Sequence, residues 1–95
     1  LNVNLTPQAV ADLVEIHKHI TEYSIRSADR VVSRIRQVIE IFSSFPLLGR
    51  PGSVKDTREF AVPGLPYTIV YQISAPTELD VLTIVHHRKL YPPQA

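Results

Sequence analysis

Cysteine is absent from the 95-residue chain, which excludes disulfide bridges and thiolate metal sites and suits a reducing cytoplasm. Long apolar runs are also missing. None approaches the roughly 18–20 residues that span a bilayer, and the first residues have neither the basic region nor the apolar segment of a signal peptide. The expectation is a cytoplasmic protein with no membrane contact. An excess of charge of one sign is lacking too, since ten Lys and Arg against nine Asp and Glu leave a formal charge of +1. Broad, charge-driven binding to nucleic acid goes with a clear basic excess, so only a local basic patch remains available. No Gly-rich phosphate loop is present and no serine sits in a nucleophile-elbow sequence, which argues against common nucleotide-binding and hydrolase classes. Repeats, low-complexity tracts and linkers are absent, and this length makes one domain, 1–95, with a single core.

What is present has a clear order. Asn2 to Leu5 alternates polar and apolar, as a short strand does. Thr6-Pro7 is a helix start, with Thr6 as N-cap and Pro7 at the first helical position, where a missing N–H costs nothing. Val10, Leu13, Ile16, Ile20 and Tyr23 then fall three or four apart and predict an apolar helical stripe. Ser24 to Ser27 reads as a tight connection, with Ser27 capping a second helix from Ala28 to about Phe45. Its stripe is Val31, Ile35, Val38, Phe42 and Phe45, widened by Val32 and Ile39, and Pro46 disfavours helix at the residue before it. Two amphipathic helices so closely linked predict an antiparallel αα-hairpin.

A loop from Pro46 to Asp56 leads to the stretch that organises the chain, Asp56 to Tyr71. It reads as two strands joined at Pro63-Gly64, with Pro63 at the first central turn position and Gly64 at the one needing positive φ. Arg58, Phe60 and Val62 share one pleat face, and Thr57, Glu59 and Ala61 the other. Tyr67 to Ile73 is rich in β-branched and aromatic residues, as a buried central strand is. After a turn at Ser74–Thr77, Glu78 to His86 alternates, with Leu79, Val81, Thr83 and Val85 on one face and Asp80, Leu82, Ile84 and His86 on the other. The order β-α-α-β-β-β predicts an α+β fold, a small antiparallel sheet packed against an N-terminal αα-hairpin.

The residues able to carry chemistry are few. Arg50, Lys55, Arg58, Arg88 and Lys89 cluster in the loop, the first long strand and the tail, and arginine's fork suits an anionic or phosphate group. Single surface charges are ordinarily just solvated; the clustering is what raises interest here. His86 and His87 are the acid/base candidates near that patch. As neighbours on a strand they point to opposite faces, so they do not share a metal, and His17 and His19 lack ligand spacing on one helix face. Neither a metal nor a cofactor is expected. Tyr91 either stacks on a base or closes the core. Arg26, Arg30 and Arg34, spaced by four, form a stripe on the second helix, either a solvated outer face or a contact for an acidic partner.

These pieces in sequence resemble the RelE/ParE superfamily of toxin–antitoxin toxins, and more closely its ParE-like, plasmid-stabilisation branch. The likeness runs over nearly the whole chain. It rests on Ala9-x-x-Asp12-Leu13-x-x-Ile16, Pro46-x-x-Gly49-Arg50-x-Gly52, Asp56-Thr57-Arg58-Glu59-x-x-Val62, Pro66-Tyr67-x-Ile69-Val70-Tyr71, Val85-His86-x-Arg88 and Tyr91-Pro92. The resemblance implies a bacterial toxin causing growth arrest and held in a hetero-oligomer by a tightly bound cognate antitoxin. ParE-like members poison DNA gyrase, whereas RelE-like members cut mRNA on the ribosome. The near-neutral charge and a loop reduced to Arg50 and Lys55 favour gyrase. In that reading the chain is a binding poison rather than an enzyme, and Arg50, Lys55, Arg58, Arg88 and Lys89 contact the target. In the nuclease alternative Arg58, His87, Arg88 and Tyr91 would serve catalysis. Arg26, Arg30 and Arg34 are the residues expected to meet the antitoxin. A non-toxic interaction module is a further alternative.

Overall fold

The computed structural model describes residues 1–93. Its elements are β1 (Asn2–Leu5), α1 (Pro7–Thr21), α2 (Ile25–Ile41), β2 (Arg50–Pro51), β3 (Arg58–Ala61), β4 (Tyr67–Ala75) and β5 (Glu78–His86). They form one five-stranded sheet in the order β1-β5-β4-β3-β2, with the helical hairpin on one face. The α+β architecture is the expected one. Strands β2 to β5 run antiparallel, and β1 joins β5 in parallel through Asn2↔Glu78 to Leu5↔Val81. A parallel pair needs a crossover, and the helical hairpin together with β2–β4 supplies it.

Thr6 ties the layers together. Its hydroxyl oxygen accepts from the Ala9 amide at 3.1 Å, capping α1, and donates to the Leu82 carbonyl at 2.7 Å. Beyond the end of β1 the free edge of β5 is covered by α1, where Asp12 Oδ2 accepts from the Ile84 amide at 3.0 Å and from the Thr83 hydroxyl. An exposed strand edge is thereby closed with a side chain.

The second helix begins earlier than its sequence suggests. Ser24, not Ser27, is the N-cap, and its hydroxyl accepts from the Ser27 amide at 3.1 Å. The connection is therefore Glu22, Tyr23 and the capping Ser24. Both serines offer a capping oxygen, but starting at Ile25 lets Ala28 pack without exposed surface. The apolar stripes shift as well. In α1 the buried residues are Ala9, Leu13 and Ile16, with Ile20 packed against them, while Val10 and Tyr23 are exposed. In α2, Phe45 lies past the helix end and is exposed.

The core lies between α1, α2 and the facing side of β4 and β5. Phe42 stacks on Tyr71 with centroids 4.1 Å apart and meets Phe60 edge-on at 6.0 Å. The Val62–Leu65 turn closes through the Leu65 amide and the Val62 carbonyl at 3.1 Å, with Gly64 at φ 78°, as Pro63-Gly64 predicts. β5 departs from strict alternation. Val70 pairs with Thr83 but Tyr71 with Val81, so Leu82 is an extra residue in the ladder. The bulge exchanges the faces, and the buried residues are Leu79 and Val81 before it and Ile84 after it.

Candidate functional site

The sheet face away from the helices carries a shallow cavity of about 330 Å³. The register builds it. Arg50 lies beside Glu59, Glu59 beside Val70 and Val70 beside Thr83, while Ala61, Thr68 and Val85 form the next row. The tail after β5 completes it with His87, Lys89 and Tyr91. Arg50 reaches this wall because the loop from Pro46 pairs briefly with β3 as β2, a strand that loop-like composition conceals.

The loop is held from beneath by Tyr71. Its hydroxyl donates to the Pro46 carbonyl and accepts from the Gly49 amide, both at 2.8 Å, and Arg58 donates to the Gly49 carbonyl at 2.5 Å. Burial pushes the Tyr71 hydroxyl's pKa up, opposed by the Gly49 amide and the Arg58 charge. There is no space for a side chain at Gly49, since an added Cβ would lie 2.8 Å from the Tyr71 ring and hydroxyl. Gly49→Ala is expected to lower the unfolding free energy by about 1–3 kcal/mol through forced repacking. Urea unfolding reads this directly, and an unchanged midpoint would show that the loop is not fixed by this contact.

Glu59 is the carboxylate of the cavity and lies outside the set of expected site residues. It is locked in place by the Ser53 amide and hydroxyl, each 2.9 Å from Oε2, with Arg50 at 3.6 Å from Oε1. The Ser53 amide above all, helped by the Ser53 hydroxyl and the Arg50 charge, holds its pKa below the ordinary 4.5 against the opposing effect of burial. A depressed carboxylate stabilises the fold above its unfolded pKa and loses that contribution as pH falls through the folded value. The stability difference between the natural protein and Glu59→Gln should therefore be constant at neutral pH and shrink below about 4.5. Urea midpoints measured over that window check it; a difference independent of pH would contradict the assignment.

Opposite Glu59, Thr68 Oγ1 and His87 Nε2 lie 3.1 Å apart. Tyr91 has its pKa raised by burial first and by the Glu59 charge second. His86 points to the other side of the sheet, edge-on to Tyr67 at 5.2 Å. Burial chiefly, then Arg88, His87, Lys89 and His19, lower its pKa. The expected target-binding residues thus separate. Arg50 and Lys89 line the cavity together with His87 and Tyr91. Arg58 turns towards the helix side and braces the loop, and Arg88 lines a second cleft beside α1. Lys55 is exposed in the loop away from both. Arg26, Arg30 and Arg34 are exposed on α2, with Arg34 donating to the Pro63 carbonyl at 3.4 Å. No group of three or more His, Cys, Asp or Glu among the described residues is placed to hold a metal.

A family model described as the ParE toxin of the type II toxin–antitoxin system parDE matches residues 3–91. The chain belongs to the ParE toxin family. It is 34% identical over 90 residues to "Putative toxin Y4kP" of Sinorhizobium fredii, covering 95% of this chain and 92% of that protein. Among solved structures, a chain of the chromosomal ParDE system of P. aeruginosa superposes with a TM-score of 0.81 at 21% identity, covering 90% of this chain and 95% of that one. A YoeB/ParE toxin from Agrobacterium tumefaciens gives 0.63 at 16% identity, covering 92% and 99%. These two show the shared fold, and the ParE family places the chain as the toxin of a type II module. No helix among the described residues is long and apolar enough to cross a membrane.

Proposed function

We propose that this ParE toxin acts in the cytoplasm by binding and poisoning DNA gyrase, and that a cognate antitoxin neutralises it in a hetero-oligomer. The supporting observation is the state of Glu59. The cavity's carboxylate already accepts two hydrogen bonds from Ser53, and its pKa is lowered, which makes it a weak general base. The remaining wall offers Arg50, Lys89, His87 and Tyr91, a set that suits holding an anionic surface. The exposed Arg26, Arg30 and Arg34 stripe on α2 is the proposed antitoxin contact.

A second reading, ribosome-dependent mRNA cleavage, is favoured by one feature: His87, Tyr91, Arg50 and Lys89 share a single cavity. An imidazole beside cations is what phosphoryl chemistry on RNA requires. A supercoiling assay with purified gyrase, scored for trapped double-strand breaks, separates the two. Inhibition with trapped breaks is the expected result. No effect from protein that arrests growth on induction would transfer the proposal to mRNA cleavage with His87 as its acid/base group, and no arrest at all would leave a non-toxic interaction module.

A further inference from the structure

A second concavity lies on the helix side, where α1 passes the end of β5. It measures about 320 Å³, within the lower range of small-ligand sites of roughly 300–1,000 Å³. Ile16 and Tyr67, both buried, form its apolar wall, and His19, His86, Arg88 and Lys89 surround it. We propose that this cleft binds a phosphate group carried on an aromatic or apolar body.

The backbone of the turn after β5 is fixed, and with it the points from which the Arg88 and Lys89 side chains extend. The Arg88 amide donates to His86 Nδ1 at 3.0 Å, and the Lys89 amide donates to the His86 carbonyl at 2.9 Å. Accepting at Nδ1 leaves the neutral His86 ring with its proton on Nε2, as a donor. The ring itself is held edge-on against Tyr67. Among the described residues neither the Arg88 guanidinium nor the Lys89 ammonium pairs with a carboxylate, whereas Arg50 on the other face is paired with Glu59. The cleft's own acid is Glu15 from α1. The charges facing His86 are therefore His19 and Glu15 from α1 and His87, Arg88 and Lys89 from the tail, with the Tyr67 hydroxyl from β4, and the balance is cationic. Burial first and the neighbouring cations second lower the His86 pKa, and a bound anion opposes the second of these.

The donor set selects phosphate over carboxylate. A carboxylate has two oxygens, while a phosphate ester offers three to an arginine fork, an ammonium and two imidazoles. The volume exceeds what the anion itself needs, and the space left lies against Ile16 and Tyr67. Lys89 also lines the sheet-face cavity, so occupancy here draws one cation away from that surface. The inference does not depend on gyrase being the target.

The test is an NMR titration of the histidine ring signals in the intact chain with phenyl phosphate, phenylacetate and a single-stranded oligodeoxynucleotide of about ten residues. Phenyl phosphate is expected to shift His19 and His86 and to raise the midpoint at which His86 titrates. Phenylacetate should bind at least about tenfold more weakly. Arg88→Gln should weaken phenyl phosphate by a similar factor, and Arg36→Gln on the far helix should leave it unchanged. If the oligonucleotide shifts the same two histidines at lower concentration, the phosphate is that of a nucleic-acid backbone. If it does not reach them, the site takes a small phosphate monoester. Equal binding of phenylacetate, shifts confined to His17 or His87, or no effect of Arg88→Gln would overturn the proposal.

Discussion

Replacing Phe42 with alanine is expected to lower the unfolding free energy by about 3–5 kcal/mol, a large share of the roughly 5–15 kcal/mol of an ordinary domain. Phe42 has no exposed surface, stacks on Tyr71 at 4.1 Å and meets Phe60 edge-on. The expected cost combines lost transfer energy, a cavity that rigid neighbours cannot fill, and the loss of two aromatic contacts. It should extend to the site, because Tyr71 carries the hydroxyl that holds Pro46 and Gly49 and so positions Arg50. Urea unfolding of the variant beside Phe42→Leu measures the size. Leucine keeps most of the volume and should lose markedly less. A loss under about 1 kcal/mol for alanine would mean that the ring pair is not the keystone of the core.

If the protein poisons gyrase as proposed, reversing two charges, Arg50→Glu with Lys89→Glu, is expected to reduce that poisoning at least about a hundredfold while the fold remains. Like charges juxtaposed across an interface cost several kcal/mol, and each factor of ten in affinity is about 1.4 kcal/mol. Both side chains are exposed and flank the sheet-face cavity, so the change acts on the surface and not on the core. Titrating the double variant in the supercoiling assay, with unfolding monitored in parallel, checks both halves. Full poisoning by a folded double variant would remove this face from the mechanism. Single reversal at Lys55 should have a much smaller effect, since Lys55 lies outside the cavity.

Local signals in the sequence translate well into structure wherever one residue type has a single mechanical use. Thr6-Pro7 caps α1, and Pro63-Gly64 turns the β3–β4 hairpin. Where two residues can serve the same use, position along the chain does not decide. Ser24 and Ser27 both offer a capping oxygen, and the burial of Ala28 selects the earlier one. The bulge at Leu82 is hard to place because apolar residues occupy both parities from Val81 to Val85, and only pairing with β4 identifies the extra one. The same limit applies to the site. Arg50, His87, Lys89 and Tyr91 stand out in the sequence as cation, imidazole and aromatic, but β2 brings Arg50 to them through a two-residue pairing too short to carry a pattern. Glu59 stands in the sequence as half of a charged pair with Arg58 in an otherwise apolar hairpin, but only the fold shows Ser53 and Arg50 closing on it. Arg58 shares the pleat face of Phe60 and Val62, as alternation indicates, but only the fold shows its guanidinium meeting the Gly49 carbonyl.

The parallel pairing of β1 with β5 bears on how the molecule is made. Asn2 finds its side-chain partner Glu78 only 76 residues later, and the Thr6 amide and hydroxyl wait nearly as long and as long, respectively, for Val81 and Leu82. Contacts so distant in sequence slow folding, because a long loop must be ordered before they reward it. During synthesis β1 and the start of α1 therefore emerge without their sheet, and the helical hairpin can form first from local contacts alone. The cavity walls follow in the order β2, β3, β4, β5 and tail. Lys89 and Tyr91, which close the cavity, follow every strand of the sheet along the chain, so this surface is complete only after all of its strands have been made.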